Sequence, residues 1–354
     1  MSNTLAVQEA PSRDETLERM RAKLTGIVPD VELQLKADLA YRINVLKREL
    51  NAVILGHNYM EPALFHSVPD YVGDSLELSR ISAETEADII VFCGVQFMAE
   101  TAKILNPEKT VLIPSAKAGC SLAAGVTADD VRALKRLYPG VPVVSYVNTY
   151  ADVKAESDYC CTSGNAGNVV RHILGKGHDY VIFLPDQYLA HNTAKEVGIP
   201  FVTANREEAL PLPDRAVIGW SARCEVHELF TTNDVTTVRQ QFPDVAIVAH
   251  PEVSPEVLEL CDAAGSTKQM IEYVRKTEAD RYLLLTECSM GDNIAAENPE
   301  KEMLRLCSHR CPHMGQITLE DTLAALEKIQ YKVELSDDLI RDARLPIDRM
   351  LEIR

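Results

Sequence analysis

Nine cysteines stand in this 354-residue chain. A thiolate is a nucleophile and a soft metal ligand, whereas a buried thiol is a small apolar group. Three of the nine follow an apolar strand or segment: Cys120 in AKAGCSLAAG, Cys224 in GWSARCEVH and Cys311 in SHRCPHM. A second set of reactive groups ends apolar runs. VILGHNY places His57 and Tyr59 there, VVSYVNTY places Tyr146 and Asn148, and AIVAHPE places His250 and Glu252. Imidazole, phenol and carboxylate are acid–base groups. In open parallel sheets ligands bind beyond the carboxyl ends of strands, where these residues fall.

A small-residue cluster follows each polar strand end: GDS (73–75), TSGNA (162–166) and GST (265–267). The intervals are 18 (His57 to Ser75), 17 (Tyr146 to Ser163) and 16 (His250 to Ser266). From cluster to downstream cysteine they are 45, 61 and 45, ending at Cys120, Cys224 and Cys311. An insertion such as NREEALPLPD (205–214) accounts for the longer middle interval. Each cluster opens a predicted helix, where unpaired N–H groups and the helix dipole favour anions. Ser75, Ser163 and Thr267 would add hydroxyls. The same residue types also serve as plain N-caps, so both uses stay open.

Three thiolates meeting at one point would leave one iron of a [4Fe–4S] cluster without a protein ligand, free to polarise a substrate oxygen as a Lewis acid. The separations of 104 and 87 residues match no local cluster motif. CSHRCPH offers a rival zinc set in Cys307, His309, Cys311 and His313, ranked lower because no second Cys/His pair stands at finger spacing. Cys160 and Cys161 precede the middle small-residue cluster, and sequence places no base beside them for nucleophilic work. Cys93, Cys261 and Cys288 read as core residues, and an odd cysteine count does not suggest a disulfide scaffold.

The elements that must position these groups alternate. Residues 1–13 read as disordered, and 14–24 and 31–49 as amphipathic helices separated by Pro29-Asp30. Strands are predicted at 52–56, 88–93, 110–114, 142–147, 179–184, 199–203, 215–219, 245–249 and 281–285, with helical patterns between them. This is α/β patterning with parallel sheets. VFCGVQFMAETAK (91–103) also resembles IFLPDQYLAHNTAK (182–195). The chain therefore reads as a tail and helix (1–40) followed by three homologous α/β modules, at 41–140, 141–243 and 244–330. Residues 244–354 form the third domain with its C-terminal helical extension. Modules arranged about a pseudo-threefold axis would aim their strand ends at a shared central site. A net charge of −17 argues against a nucleic-acid partner. No apolar run reaches membrane-span length and no signal pattern opens the chain, so a cytoplasmic protein is expected.

From about residue 50 onward the sequence resembles the quinolinate synthase (NadA) family. The resemblance rests on GHNY, GDSLELSR, FMAETAKIL, AGCSLA, YVNTYADVKAESDYCCTSGNA, CEVHE, AHPE, GST and CPHM, in that order. It implies three α/β/α domains around a pseudo-threefold axis, with a central [4Fe–4S] cluster bound by Cys120, Cys224 and Cys311. It also implies the reaction: iminosuccinate and dihydroxyacetone phosphate condense to quinolinate, releasing phosphate and two waters. An aspartate oxidase or dehydrogenase would supply the imine. By motif, the substrate positions are His57, Tyr59, Ser75, Tyr146, Asn148, Ser163, His250, Glu252 and Thr267, with His227 of CEVH near the cluster. His57, Tyr59, Tyr146 and Glu252 are the implied acid–base groups. The chain departs from relatives at Val253, where many read cysteine, and at Ala222, where glycine is expected.

Overall fold

The computed structural model describes residues 12–306 and 308–353. The disorder expected over 1–13 lies outside that range for residues 1–11 and is not found at Ser12 and Arg13. Ser12 Oγ caps a helix over Arg13–Leu24 by accepting the Glu15 N–H. A second helix covers Asp30–Glu49 behind Pro29.

Three parallel sheets follow. The first contains β1 (Ala52–His57), β2 (Tyr71–Gly73), β3 (Ile89–Cys93) and β4 (Thr110–Leu112), in the order β2-β1-β3-β4. The second contains β5 (Val143–Tyr146), β6 (Tyr159–Cys161), β7 (Tyr180–Leu184), β8 (Phe201–Thr203) and β9 (Ala216–Gly219), in the order β6-β5-β7-β9-β8. The third contains β10 (Ala246–Ala249), β11 (Ala263–Ala264), β12 (Arg281–Leu285) and β13 (Glu302–Leu304), in the order β11-β10-β12-β13. Leaving β8 aside, the three orders are the same. The middle insertion therefore begins earlier than 205–214, because it also supplies an edge strand.

All nine predicted strands form. The structure adds β2, β6, β11 and β13, each of two or three residues. Three of these edges share one device. Asp70, Asp158 and Asp262 stand just before β2, β6 and β11, and their carboxylates accept the N–H groups of Ile54, Val143 and Ile247 at 2.7, 2.8 and 2.7 Å. Each clamp fixes the edge strand that leads into a small-residue cluster.

Helices of ten residues recur at matching points, over Ser75–Glu84, Ala166–Gly175 and Thr267–Lys276. Another set follows the cysteines, over Ala128–Leu137, Thr232–Gln241 and Leu319–Lys328. Each helix of this second set packs on the sheet after its own in a cyclic order. Val131 and Leu134 join Val143, Ile182 and Ile218 of the second sheet in one apolar cluster. Arg239 pairs with Asp262 ahead of β11 at 3.0 Å. Thr322 meets Cys93 of β3 at 3.7 Å. By contacts the chain divides into two compact units. One comprises the chain through Gly119, Asp244–Ala246 and Ile271–Glu334; the other comprises Cys120–Pro243, Ile247–Met270 and the segment from Leu335. No described helix is long and apolar enough to cross a membrane.

One buried cation shapes the turn after β5. Lys154 is fully buried, and its ammonium donates to the carbonyls of Val147, at 2.9 Å, and Thr149. Those carbonyls flank Asn148. Lys154→Ala leaves them buried without their donor, and we expect a loss of about 3 kcal/mol in urea unfolding. A loss below about 0.5 kcal/mol would remove this lysine from the account of the turn.

Candidate active site

The three cysteine loops are built on one backbone template. The helices after β3, β7 and β12 begin at Gln96, Gln187 and Cys288. Their first N–H groups lack an intrahelical acceptor. They donate instead to the carbonyls of Ala118, Ala222 and His309, at 2.8, 2.8 and 3.3 Å. Each acceptor lies two residues before Cys120, Cys224 or Cys311. A short helical turn then starts at the cysteine itself: its carbonyl accepts from Ala124, Glu228 or Gly315, at 3.0, 3.0 and 3.1 Å. Seven residues after each cysteine, Thr127, Thr231 and Thr318 cap the next helix by accepting the N–H of Asp130, Asp234 and Asp321.

This C-x6-T-x-x-D pattern occurs at all three cysteines and is a signal visible in the sequence alone. It favours Cys311 over Cys307, since Met314 stands seven residues after Cys307. Cys307 itself lies outside the described residues. Cys120, Cys224 and Cys311 are free thiols. Cys288, read as a core residue, is buried and is also disulfide-bonded, which the sequence reading did not include. Cys160 and Cys161 are fully buried, and burial pushes Cys160 up to about 12 and Cys161 well above the ordinary thiol range. They are inert packing groups, not nucleophiles.

In the second unit, the loops carrying Cys120 and Cys224 touch. Trp220 Nε1 donates to the Gly125 carbonyl at 2.9 Å, and a Cβ on Gly125 would lie 2.7 Å from the Ala222 methyl. The glycine on one loop thus makes room for the alanine on the other. Burial, with the charges of Glu252 and Cys120, pushes the Cys224 thiol well up, while the N–H groups of His227 and Val226 reach its sulfur. Glu252 lies beside it, fully enclosed. His227 Nδ1 stands 2.7 Å and His250 Nδ1 3.8 Å from Glu252 Oε2, and the two imidazoles stack at 4.7 Å. Burial alone would raise the Glu252 carboxyl. The two imidazoles and the hydrogen bonds from His227 and Tyr146 outweigh it, holding the group down at about 2. Burial holds His250 neutral, lowering it to about 3.

The same unit gathers further predicted residues. His250 Nε2 meets Ser163 Oγ at 3.0 Å, and a Cβ on Gly164 would lie 3.3 Å from Ser266 Oγ. Two small-residue helix starts therefore meet, beside a cavity of ≈ 430 Å³ whose lining includes Ser163, Pro251 and Gly265. Ser266, not Thr267, caps its helix, with Ser266 Oγ accepting from the Gln269 N–H at 3.4 Å. Asn148 Oδ1 is buried with no hydrogen-bond partner among the described residues.

In the first unit, His57 ends β1 and is buried. The Tyr59 N–H donates to His57 Nδ1 at 3.2 Å, which leaves Nε2 as the proton-bearing nitrogen of the neutral ring. Asn293 clamps this turn by donating to the carbonyls of Asn58 and Met60 at 3.1 and 2.9 Å. The Tyr59 hydroxyl meets Thr286 Oγ1 at 2.6 Å. Next to Thr286, burial raises the Glu287 carboxyl to about 7 against the N–H groups of Ser289 and Cys311 and the charge of Arg310. The Met314 N–H donates to Cys311 Sγ at 3.5 Å. At the third helix start Asp74 provides the cap for the Glu77 N–H, at 2.9 Å, so Ser75 is not the capping group.

Three observations test whether these residues suit a metal group. Ligand atoms of Cys224, His227 and Glu252 lie within 4.8 Å of one another. Glu252 Oε1 and His250 Nδ1 are buried without hydrogen-bond partners among the described residues. Backbone N–H groups point at the sulfurs of Cys224 and Cys311, the kind of bond that tunes a thiolate-held cluster. The donor set fits. Of the rival zinc set, Cys307 lies outside the described residues.

Parallel strands with acid–base groups at their carboxyl ends and capped helix starts beside them form an α/β ligand site. A family model described as "Quinolinate synthetase A protein" matches residues 41–352. The chain is 49% identical over 331 residues to quinolinate synthase 2 of Mesorhizobium japonicum, covering 94% of this chain and 96% of that one. It is 48% identical over 331 residues to quinolinate synthase of Agrobacterium fabrum, covering 94% and 90%. With the Xylella fastidiosa enzyme it shares 49% over 308 residues, 87% and 85% of the two chains. The chain belongs to the quinolinate synthase family, enzymes of NAD biosynthesis.

The buried pair gives a pH expectation for the metal-free protein. His250 falls from 6.5 to about 3 on folding and Glu252 from 4.5 to about 2, so the unfolded chain binds more protons at both. Stability is then complete above about pH 6.5 and declines as pH falls, first through His250 and below about 4.5 through Glu252 as well. His250→Gln should flatten the decline in melting temperature between pH 6.5 and 4.5 relative to the parent. An unchanged slope would show that His250 is charged in the folded state.

Proposed function

We propose that the chain condenses iminosuccinate with dihydroxyacetone phosphate to quinolinate, releasing phosphate and two waters, with a [4Fe–4S] cluster held by Cys120, Cys224 and Cys311. The supporting observation is the cysteine loop template repeated after all three sheets in a chain of this family. A cluster with three protein thiolates for four irons would supply a Lewis-acidic iron to a substrate heteroatom. The three segments at 41–140, 141–243 and 244–354 act as three α/β domains, each contributing one cysteine and one polar strand end.

This chain's residues bind and move protons. The helix starts at Ser163 and Thr267, with Ser75, hold the carboxylates and phosphate through N–H groups and hydroxyls. Asn148 aims its unpartnered carbonyl oxygen at a substrate N–H or O–H. Glu252, ionised and with one unpartnered oxygen, accepts the proton that leaves carbon as the enamine and ring form. Tyr146 beside it, together with Tyr59, donates protons to the departing hydroxyls, while the neutral rings of His250 and His57 hydrogen-bond the substrate. His227 orients Glu252 next to Cys224. An aspartate oxidase or dehydrogenase supplies the unstable imine, and the chain works in the cytoplasm.

Protein purified without oxygen should carry about four iron and four sulfide per chain. Cys120→Ser, Cys224→Ser and Cys311→Ser should each be colourless and inactive. Glu252→Gln should keep the brown colour and lose at least about 100-fold in kcat. One zinc and no sulfide per chain would instead assign the Cys224, His227 and Glu252 trio to a single divalent ion. Full turnover by Glu252→Gln would remove it from the proton transfers.

A further inference from the structure

Two fully enclosed acids lie outside the proton chemistry above. Asp186 and Glu287 occupy the same place in the fold, the N-cap of the helix after β7 and β12. Both are buried. Each caps its own helix: Asp186 Oδ1 accepts the Leu189 N–H at 2.6 Å, and Glu287 Oε2 accepts the Ser289 N–H at 2.7 Å. Each also reaches sideways. Asp186 Oδ2 accepts the Cys224 N–H at 3.3 Å, and the Glu287 carboxyl accepts the Cys311 N–H. At the corresponding place in the first sheet stands Val95, which offers no side-chain acceptor.

We propose that Asp186 and Glu287 are positioning residues, each tying the backbone of a metal-binding cysteine to the helix that follows the third strand of its sheet. Capping alone does not explain the choice of residue. Serine caps as well as aspartate and is easier to bury, whereas glutamate is not among the favoured N-caps. Only a side chain with a second acceptor and sufficient reach serves both N–H groups. Holding the cysteine N–H fixes the direction of its Cα–Cβ bond, so the thiol is oriented before any metal arrives. Cys224 and Cys311 have this support. The inference rests on the cluster reading above and deepens it.

The test separates reach from capping. Asp186→Ser and Glu287→Ser keep a cap but fall short of the cysteine N–H, whereas Asp186→Glu and Glu287→Asp, each the acid that serves at the other position, keep two acceptor oxygens. Each protein is loaded with iron and sulfide without oxygen, then challenged with EDTA while cluster absorbance is followed. Melting of the metal-free forms serves as the folding control. The serine variants should lose the cluster at least about 10-fold faster than the parent, while Asp186→Glu and Glu287→Asp stay near the parent rate. Serine variants that release at the parent rate, or carboxylate variants that both release as fast as serine, would overturn the positioning role. A parent that takes up no cluster would overturn the function reading first and this inference with it. The two serine substitutions are independent, so one that fails to fold leaves the other as the test.

Discussion

A helix that begins just beyond the carboxyl end of a buried strand starts with N–H groups that its own turns cannot satisfy. Left unpaired in the interior, each would cost as much as a lost hydrogen bond. At Gln96, Gln187 and Cys288 the chain meets this constraint in one way, by bringing in a carbonyl from the loop that follows the next strand. The cysteine lies two residues further on, so its position follows from a backbone bond needed for folding. The threonine cap seven residues later anchors the far end of the same loop. Between these two anchors the loop can vary, as Ala222 beside Gly125 illustrates.

The electrostatics around Glu252 follow from a second constraint. A carboxylate enclosed by protein stays ionised only where its partners outweigh its lost hydration. Here two stacked imidazoles and a phenol do so, while burial keeps His250 itself uncharged. The result is a base with a free oxygen next to a thiol that burial and negative neighbours hold protonated until a metal takes its place. Ser163 bonds His250 beside that base, and the helix starts at Gly164 and Ser266 meet next to Ser163, an arrangement of neutral donors that suits an anionic substrate.

Much of this was legible in the sequence. Nine strands were read because each was a long apolar run, and Tyr146, His250 and Glu252 were found because they ended such runs. The edge strands β2, β6, β11 and β13 were missed because two or three residues show no periodicity. The aspartate opening PDYVGDS, SDYCCTSG and CDAAGST was nevertheless a usable signal, since each one clamps the neighbouring strand. Whether the small clusters merely capped helices was undecidable from residue type. The structure gives capping to Asp74 and Ser266, one residue before Ser75 and Thr267. The onward packing of each post-cysteine helix depends on tertiary contact, and no local pattern carries it.

The central claim is that three equivalent cysteine loops leave one metal corner open for substrate. A Mössbauer spectrum of anaerobically purified, iron-57-enriched protein, recorded with and without quinolinate, tests it most directly. One iron in four should differ from the rest and shift when the product is added. Four equivalent irons that ignore the product would contradict the account.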